Sequence, residues 1–370
     1  MPTAAAKEII RESVERKEAK ELEALKQADK SNARPPGWAL SPRMVETFIL
    51  GSGDKPVGGA VIRPKYIGDR HLIQVAIATL ASDRALLLVG EPGTAKSWLS
   101  EHLAAAVSGS TELLLQGTAG TTEDQVKYSW NYALLIAEGP TERALVKSPV
   151  LRAMENGSLA RFEEVTRTAS EVQDALISIL SEKSIAIPEL GRTVQARRGF
   201  NIIATANTRD RGVNEMSSAL KRRFNFVTVP VVNDLDLEMK IVQQRTQELQ
   251  SEFEVKATVP PDFVQTLVTV FQELRAGLTK DGKTKIKTPS SVLSTAELIS
   301  VVFNGALLSS HFGTGKVTSD EFARSVVGAV SKENVQDRAV LAEYCENVAK
   351  IRKDKTWKEF YESARKILKG

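Results

Sequence analysis

From about residue 67 the chain alternates short apolar runs with segments of helical period. Residues 85–89 (ALLLV) are continuously apolar, as in a strand covered on both faces. Residues 97–107 read as a helix and 112–116 as a second strand. Residues 159–162 and 201–206 (NIIATA) are two further strands, with a helical segment at 171–182 between them, and 224–229 closes the series. Strands that alternate with helices pair in parallel, because each crossover helix returns the chain to the same end of the sheet. After Pro230 the strand-like runs stop. Residues 235–252, 261–278, 291–308 and 319–330 all carry the helical pattern. The pattern predicts an α/β domain followed by a smaller all-helical one, with no internal repeat.

The two ends differ from this core. Residues 4–30 are rich in Glu, Lys, Arg and Ala, with a few apolar residues such as Ile9, Ile10, Leu22 and Leu25. Opposite charges recur at helical spacing, Glu12 with Arg16 and Glu8 with Arg11. The expectation is a mostly exposed helix that frays, or an arm that binds a partner. Pro35-Pro36-Gly37 breaks it, and the glycine-rich stretch 51–59 marks a second loop. The last residues are basic, with Trp357, Phe360, Tyr361, Ile367 and Leu368 spaced to dock as a helix. The expected boundaries are 1–60 for an N-terminal helical extension and linker, 61–232 for the α/β core, 233–332 for the helical domain and 333–370 for the basic tail.

A chain of 370 residues has room for two or three domains and a sizeable core. With 42% hydrophobic and 26% charged residues, it falls in the ordinary globular class. A net charge of +4 does not demand a nucleic-acid partner. The single cysteine, Cys345, excludes an intrachain disulfide and is compatible with a reducing cytosol. No apolar run approaches membrane-spanning length, and residues 1–10 lack the apolar stretch of a signal peptide. The expected location is the cytoplasm. His71, His102 and His311 are scattered, so no zinc centre is expected.

The strongest local signal is Gly90-Glu91-Pro92-Gly93-Thr94-Ala95-Lys96-Ser97, placed between the ALLLV strand and a helix. That is the setting of a phosphate-binding loop. Backbone N–H groups of such a loop and of the helix N-terminus cradle phosphates. Lys96 would neutralise the β and γ phosphates, and Ser97 would hold Mg2+ through its hydroxyl. The usual pattern has Gly immediately before the Lys. Ala95 stands there instead, which is acceptable if its backbone needs no positive φ.

Three further elements follow. Glu163-Glu164 ends the strand 159–162, where P-loop ATPases keep a metal-linked acid and then an acid that polarises water. Glu163 would take the first role, in place of the usual aspartate, and reach Mg2+ through a water. Glu164 is the candidate general base. Asn207 ends the strand 201–206 and can bond the attacking water or the γ-phosphate, although an Asn there also suits ordinary turn chemistry. Residues 219–224 (ALKRRF) place two arginines just before a strand. Arg223 is the favoured arginine finger for a neighbouring subunit's γ-phosphate, with Arg222 the alternate.

In this order and spacing the four elements resemble the AAA+ superfamily of P-loop NTPases. The form GEPGTAKS, the stretch 162–182 (FEEVTRTASEVQDALISILSE), the strand ending in Asn207 and ALKRRF are similar to the MoxR family. The resemblance spans about residues 67–308. It implies a five-stranded parallel sheet with helices on both faces, a C-terminal all-α lid, and ATP with Mg2+. It further implies a ring, often hexameric, with ATP sites between subunits. Such rings resemble chaperone-type remodellers of protein partners, several acting with a von Willebrand factor A domain protein. Residues 117–157 would be an insert within the second helix, near the pore or facing the partner. One departure concerns the lid arginine of the family. Neither plausible register, Ser290 or Ala296, holds an arginine, and Lys287 is a neighbouring basic residue that would have to substitute. Two alternatives stay open: a nucleotide-gated scaffold with weak hydrolysis, and a nucleic-acid motor, for which the basic tail speaks.

Overall fold

The computed structural model describes residues 10–208, 214–332 and 334–369. Glu8 and Ile9 of the arm lie outside them. Two compact units emerge, Met1–Glu91 with Ala95–Val229, and Pro92–Thr94 with Pro230–Gly370.

Among the described residues nine strands lie in the first unit: β1 (Ala85–Gly90), β2 (Leu114–Gln116), β3 (Tyr128–Trp130), β4 (Leu145–Lys147), β5 (Leu159–Glu163), β6 (Ser184–Ile187), β7 (Arg192–Gln195), β8 (Asn201–Asn207) and β9 (Phe224–Thr228). Five of them form a parallel sheet in the order β2-β5-β8-β1-β9. β1 lies between β8 and β9, in the registers Leu87↔Ala204 and Leu87↔Phe226. Its side chains alternate between two cores. Leu86 and Leu88 meet Leu99, Leu103 and Ile203 on one face, while Ala85 and Leu87 meet Phe162, Leu176 and Ile202 on the other. A strand covered on both faces has no polar position to spare, which is why it reads as an unbroken apolar run.

The N-terminal arm is not a solvated helix. Val14, Leu22 and Leu25 are buried in the same core as Phe48, Ile73 and Leu103. Its helices, Val14–Lys17 and Ala19–Ala28, also turn acids inward. Glu18 and Glu21 are buried, and Lys65 Nζ reaches Glu21 at 2.5 Å. Asp29 accepts from the Ser41 N–H at 2.6 Å and its hydroxyl at 2.5 Å. Buried carboxylates with partners in place are tolerated where lone ones are not. They count as polar in any periodicity, so the arm's apolar face is half hidden in the sequence. Ser41 then caps Pro42–Leu50, and Asp69 caps Arg70–Leu80.

Two antiparallel hairpins interrupt the α/β series. β3–β4 carries a short helix, Tyr132–Glu138, none of whose residues is buried. β6–β7 follows the helix Ser170–Glu182. The hairpins are joined by Tyr128 Oη, which donates to Glu189 at 3.1 Å, and by Arg192, which pairs with Glu142 at 2.6 Å.

The second unit is helical. Leu235–Glu252, Pro261–Ala276, Thr295–Phe312, Ser319–Val330, Val335–Asn347 and Lys355–Lys369 share one core, with Phe271, Val302, Phe322, Tyr344 and Phe360 at its centre. The tail docks through Trp357, Phe360 and Tyr361. Its buried charges are paired. Fully buried Glu238 receives Arg275 at 2.9 Å, Gln272 at 2.7 Å and Thr295 at 2.7 Å. Glu273 accepts from Tyr344 Oη at 2.6 Å and Arg352 at 2.5 Å. Burial pushes the Cys345 thiol up to about 12, so it stays protonated and inert. Among the described residues no helix is long and apolar enough to cross a membrane.

Candidate active site

The loop 91–95 links β1 to the helix Lys96–Ser108. Gly93 (φ +75°) and Ala95 (φ +68°) both adopt the left-handed conformation. Alternation of this kind turns successive N–H groups toward one point and forms an anion-binding nest. The condition set on Ala95 by its side chain is therefore not met: the position does need a positive φ. An L-residue there costs about 1–2 kcal/mol. Ala95→Gly should remove that cost and lose about 0.4–1 kcal/mol of it to the entropy of the unfolded chain. The expected result is a melting temperature about 2 °C higher by calorimetry. A lower one would show that alanine's backbone is relaxed there.

Lys96 Nζ donates to Gly90 O at 3.1 Å and Glu91 O at 2.7 Å. Burial lowers its pKa to about 8, against the pull of Glu164, Glu163 and Glu91. Phosphate favours the ammonium form. Nucleotide binding should therefore take up a proton above pH 8 and none from this group below it. The Kd for ATP is expected to be flat below pH 8 and to rise by up to about tenfold per unit above it. Titration with a fluorescent nucleotide from pH 6.5 to 9.5 checks this. A Kd flat through pH 9 would mean that Lys96 keeps its ordinary basicity.

Glu163 ends β5 and is buried. Its Oε2 accepts from Ser97 Oγ at 2.6 Å and Thr205 Oγ1 at 2.7 Å. Its Oε1 accepts from Ser100 Oγ and, at 3.0 Å, from Arg161 Nη2. Burial alone would raise its pKa. The three hydroxyls and the Arg161 charge outweigh burial and hold the carboxyl below the usual range. An ionised carboxylate beside a hydroxyl, next to the phosphate loop, is the hard-oxygen donor set that suits Mg2+.

Glu164 has φ +54° and ψ 46°, again left-handed. Its N–H donates to Thr205 Oγ1 at 2.9 Å, and its carboxylate pairs with Arg167 at 2.5 Å. Gly117, just past β2, donates its N–H to Glu163 O at 2.7 Å. A Cβ on Gly117 would collide with Glu164 O, so only glycine permits this approach. Asn207 lies opposite Gly90 in the β1–β8 register, at the mouth of the loop.

Lys96, Ser97, Glu163, Glu164 and Asn207 thus meet at the C-terminal edge of the sheet. Arg222 and Arg223 do not join them. Arg223 O accepts from the N–H of Ala85, at the opposite end of β1. β1 is six residues long from that end to Gly90, five rises of strand or roughly 16 Å. Arg223 is tied down by Ser181 Oγ at 2.7 Å and Ala219 O at 2.6 Å, while Arg222 is exposed. In the helical unit, Ser290 is held by Asp337 through its N–H at 2.8 Å and its hydroxyl at 2.7 Å. Lys287 is paired with Glu343 at 2.7 Å. Sequence reasoning missed Arg161, Ser100 and Thr205. A signal existed: Arg161 and Glu163, like Thr205 and Asn207, stand two apart on strands and so share a face.

A parallel five-stranded sheet, a nest-forming loop and paired acids at the strand ends define an AAA+ P-loop ATPase domain followed by a helical region. Residues 85–224 match the AAA domain of the dynein-related subfamily, and residues 236–369 the C-terminal domain of YehL-like AAA+ ATPases. The chain belongs to the YehL-like family: it is 43% identical to the uncharacterized protein YehL of Escherichia coli K12 over 352 residues, 94% of this chain and 95% of that one. An uncharacterized protein of Staphylococcus haemolyticus is 26% identical over 189 residues, half of this chain and 71% of its own length. Among solved structures, NtrX from Brucella abortus in complex with ADP shares the fold with a TM-score of 0.51 at 13% identity. That match covers 80% of this chain and 62% of NtrX, so the chain spans less than two thirds of that protein.

Proposed function

We propose that this protein is a ring-forming, Mg2+-dependent ATP hydrolase that remodels or matures a protein partner in the cytoplasm, a chaperone of the MoxR kind. The observation that carries the reading is the Ser97–Glu163 pair at 2.6 Å beside the phosphate loop, with Glu164 next in the chain. Lys96 and the loop N–H groups hold the phosphates. Ser97 and Glu163 would hold Mg2+, which when bound would supply positive charge against the phosphate oxygens. Glu164 takes the proton of the attacking water, and Asn207 orients that water. An arginine of the ALKRRF segment acts on the neighbouring subunit's site, since roughly 16 Å of strand removes it from its own. That division of labour supports a closed homo-oligomer, a hexameric ring in this reading. The helix Tyr132–Glu138 supports a protein partner, of von Willebrand factor A type in this reading: Tyr132 and Ile136 are 70% and 87% exposed.

Steady-state ATP hydrolysis across protein concentration tests this. Turnover per subunit should rise with concentration to a plateau and vanish in Lys96→Ala. A scaffold with weak hydrolysis is the second reading, favoured by the Glu164–Arg167 pair, which occupies the general base. ATP binding without turnover at any concentration would select it.

A further inference from the structure

We infer that Thr205 is a positioning residue for hydrolysis, one hydroxyl that sets the metal-linked acid and the water-polarising acid together. The inference rests on the hydrolytic reading above. Thr205 is buried on β8. A hydroxyl has one proton to give and lone pairs to receive. The proton goes to Glu163 Oε2 at 2.7 Å, and a lone pair takes the Glu164 N–H at 2.9 Å. Each bond fixes the rotor for the other, so the hydroxyl has a single orientation.

The location explains why a side chain is needed. The β5–β8 register runs in parallel to Phe162↔Ala204 and stops there. Beyond it Glu164 leaves the extended conformation for the left-handed one. The N–H of Glu164 is then received by a side-chain oxygen of the neighbouring strand. Thr205 thereby holds the backbone turn that aims Glu164. Gly117 packs against the same turn from the other neighbouring strand's end, and its lack of a Cβ leaves that space open. Glu163 has three other partners in Ser97, Ser100 and Arg161, so its own place does not depend on Thr205 alone. Glu164's N–H has Thr205.

The consequence is a split between binding and turnover. Lys96 contacts Gly90 and Glu91, so loss of the Thr205 hydroxyl leaves the phosphate grip intact. Thr205→Val keeps the shape and removes the hydroxyl. Thr205→Ser keeps the hydroxyl and removes a methyl. With Val, kcat should fall about 10–100-fold, the range for outer partners of metal sites, and the Mg2+ concentration for half-maximal activity should rise. KM for ATP should stay within about threefold in both variants, and Ser should restore kcat to within about threefold of wild type. Melting curves of both proteins establish that they are folded. Wild-type kcat in Thr205→Val, or Ser impaired as severely as Val, overturns the inference. Should the wild type bind ATP without turning it over, the hydrolytic reading fails by itself. The Mg2+ dependence of fluorescent-ATP binding then decides on Thr205: a requirement raised in Val and not in Ser sustains its hold on the metal-linked acid, and an unchanged one overturns it.

Discussion

Glu164→Gln is expected to bind ATP as the wild type does and to turn it over about 10²–10⁴-fold more slowly, the usual contribution of a general base. The substitution is nearly isosteric. It leaves the left-handed backbone and the N–H bond to Thr205 in place. The ion pair with Arg167 is lost, but both side chains are partly exposed and such pairs contribute about 0–1 kcal/mol. The proposed metal-linked acid is untouched, since Glu163 takes its four contacts from Ser97, Ser100, Arg161 and Thr205. Ground-state binding and folding therefore stay the same, and what disappears is a lone pair basic enough to take a proton. Single-turnover hydrolysis beside equilibrium binding of a fluorescent nucleotide separates the two. Turnover within threefold of wild type would remove Glu164 from the mechanism and return it to the surface pair with Arg167.

What the sequence made legible follows burial. Residues 85–89 and 201–206 are covered on both faces, so their apolar runs stand out. β2 lies at the sheet edge with Leu114 40% exposed, and only Leu114–Gln116 of the expected 112–116 is strand. The helix expected at 291–308 starts at Thr295 because Ser294 caps it. β3 (YSW) and β4 (LVK) are three residues each, too short for a period to show. The arm was hidden by its buried Glu18 and Glu21, which no hydropathy pattern counts as inward. The site divides the same way. A loop motif and strand-end acids are local in sequence, so Lys96, Ser97, Glu163, Glu164 and Asn207 could be named from it. The cage around Glu163 draws on three elements, Ser100 of a helix, Arg161 of β5 and Thr205 of β8, and only the fold brings them together. Ala95 shows the reverse case: the motif departure was visible, but its sign depended on a φ angle the sequence does not carry.

Lys96→Ala and Arg222→Ala should each be inactive alone and regain turnover when mixed. The first lacks the phosphate grip but keeps its arginines. The second keeps an intact site and lacks the exposed guanidinium. Geometry favours Arg222 over Arg223 for the role in trans. Arg223 donates from Nε to Ser181 and from Nη1 to Ala219 within its own subunit, and so fixes the segment rather than leaving it. Arg222 projects from the same turn and is exposed. An arginine that meets a transferring phosphoryl is worth about 10³–10⁵ in kcat, so Arg222→Ala alone should fall close to background. In the proposed ring, mixed at random from equal parts, about a quarter of the interfaces would join an intact site to an intact arginine, and turnover per total subunit should recover toward that fraction. Arg223→Ala should instead lower stability and respond less to mixing, since its loss loosens the turn that carries Arg222. Mixed samples with no more activity than the sum of their parts would show that each site is complete within one subunit. Recovery with Arg223→Ala and not with Arg222→Ala would move the trans role to Arg223 and require the Ser181 and Ala219 bonds to break on assembly.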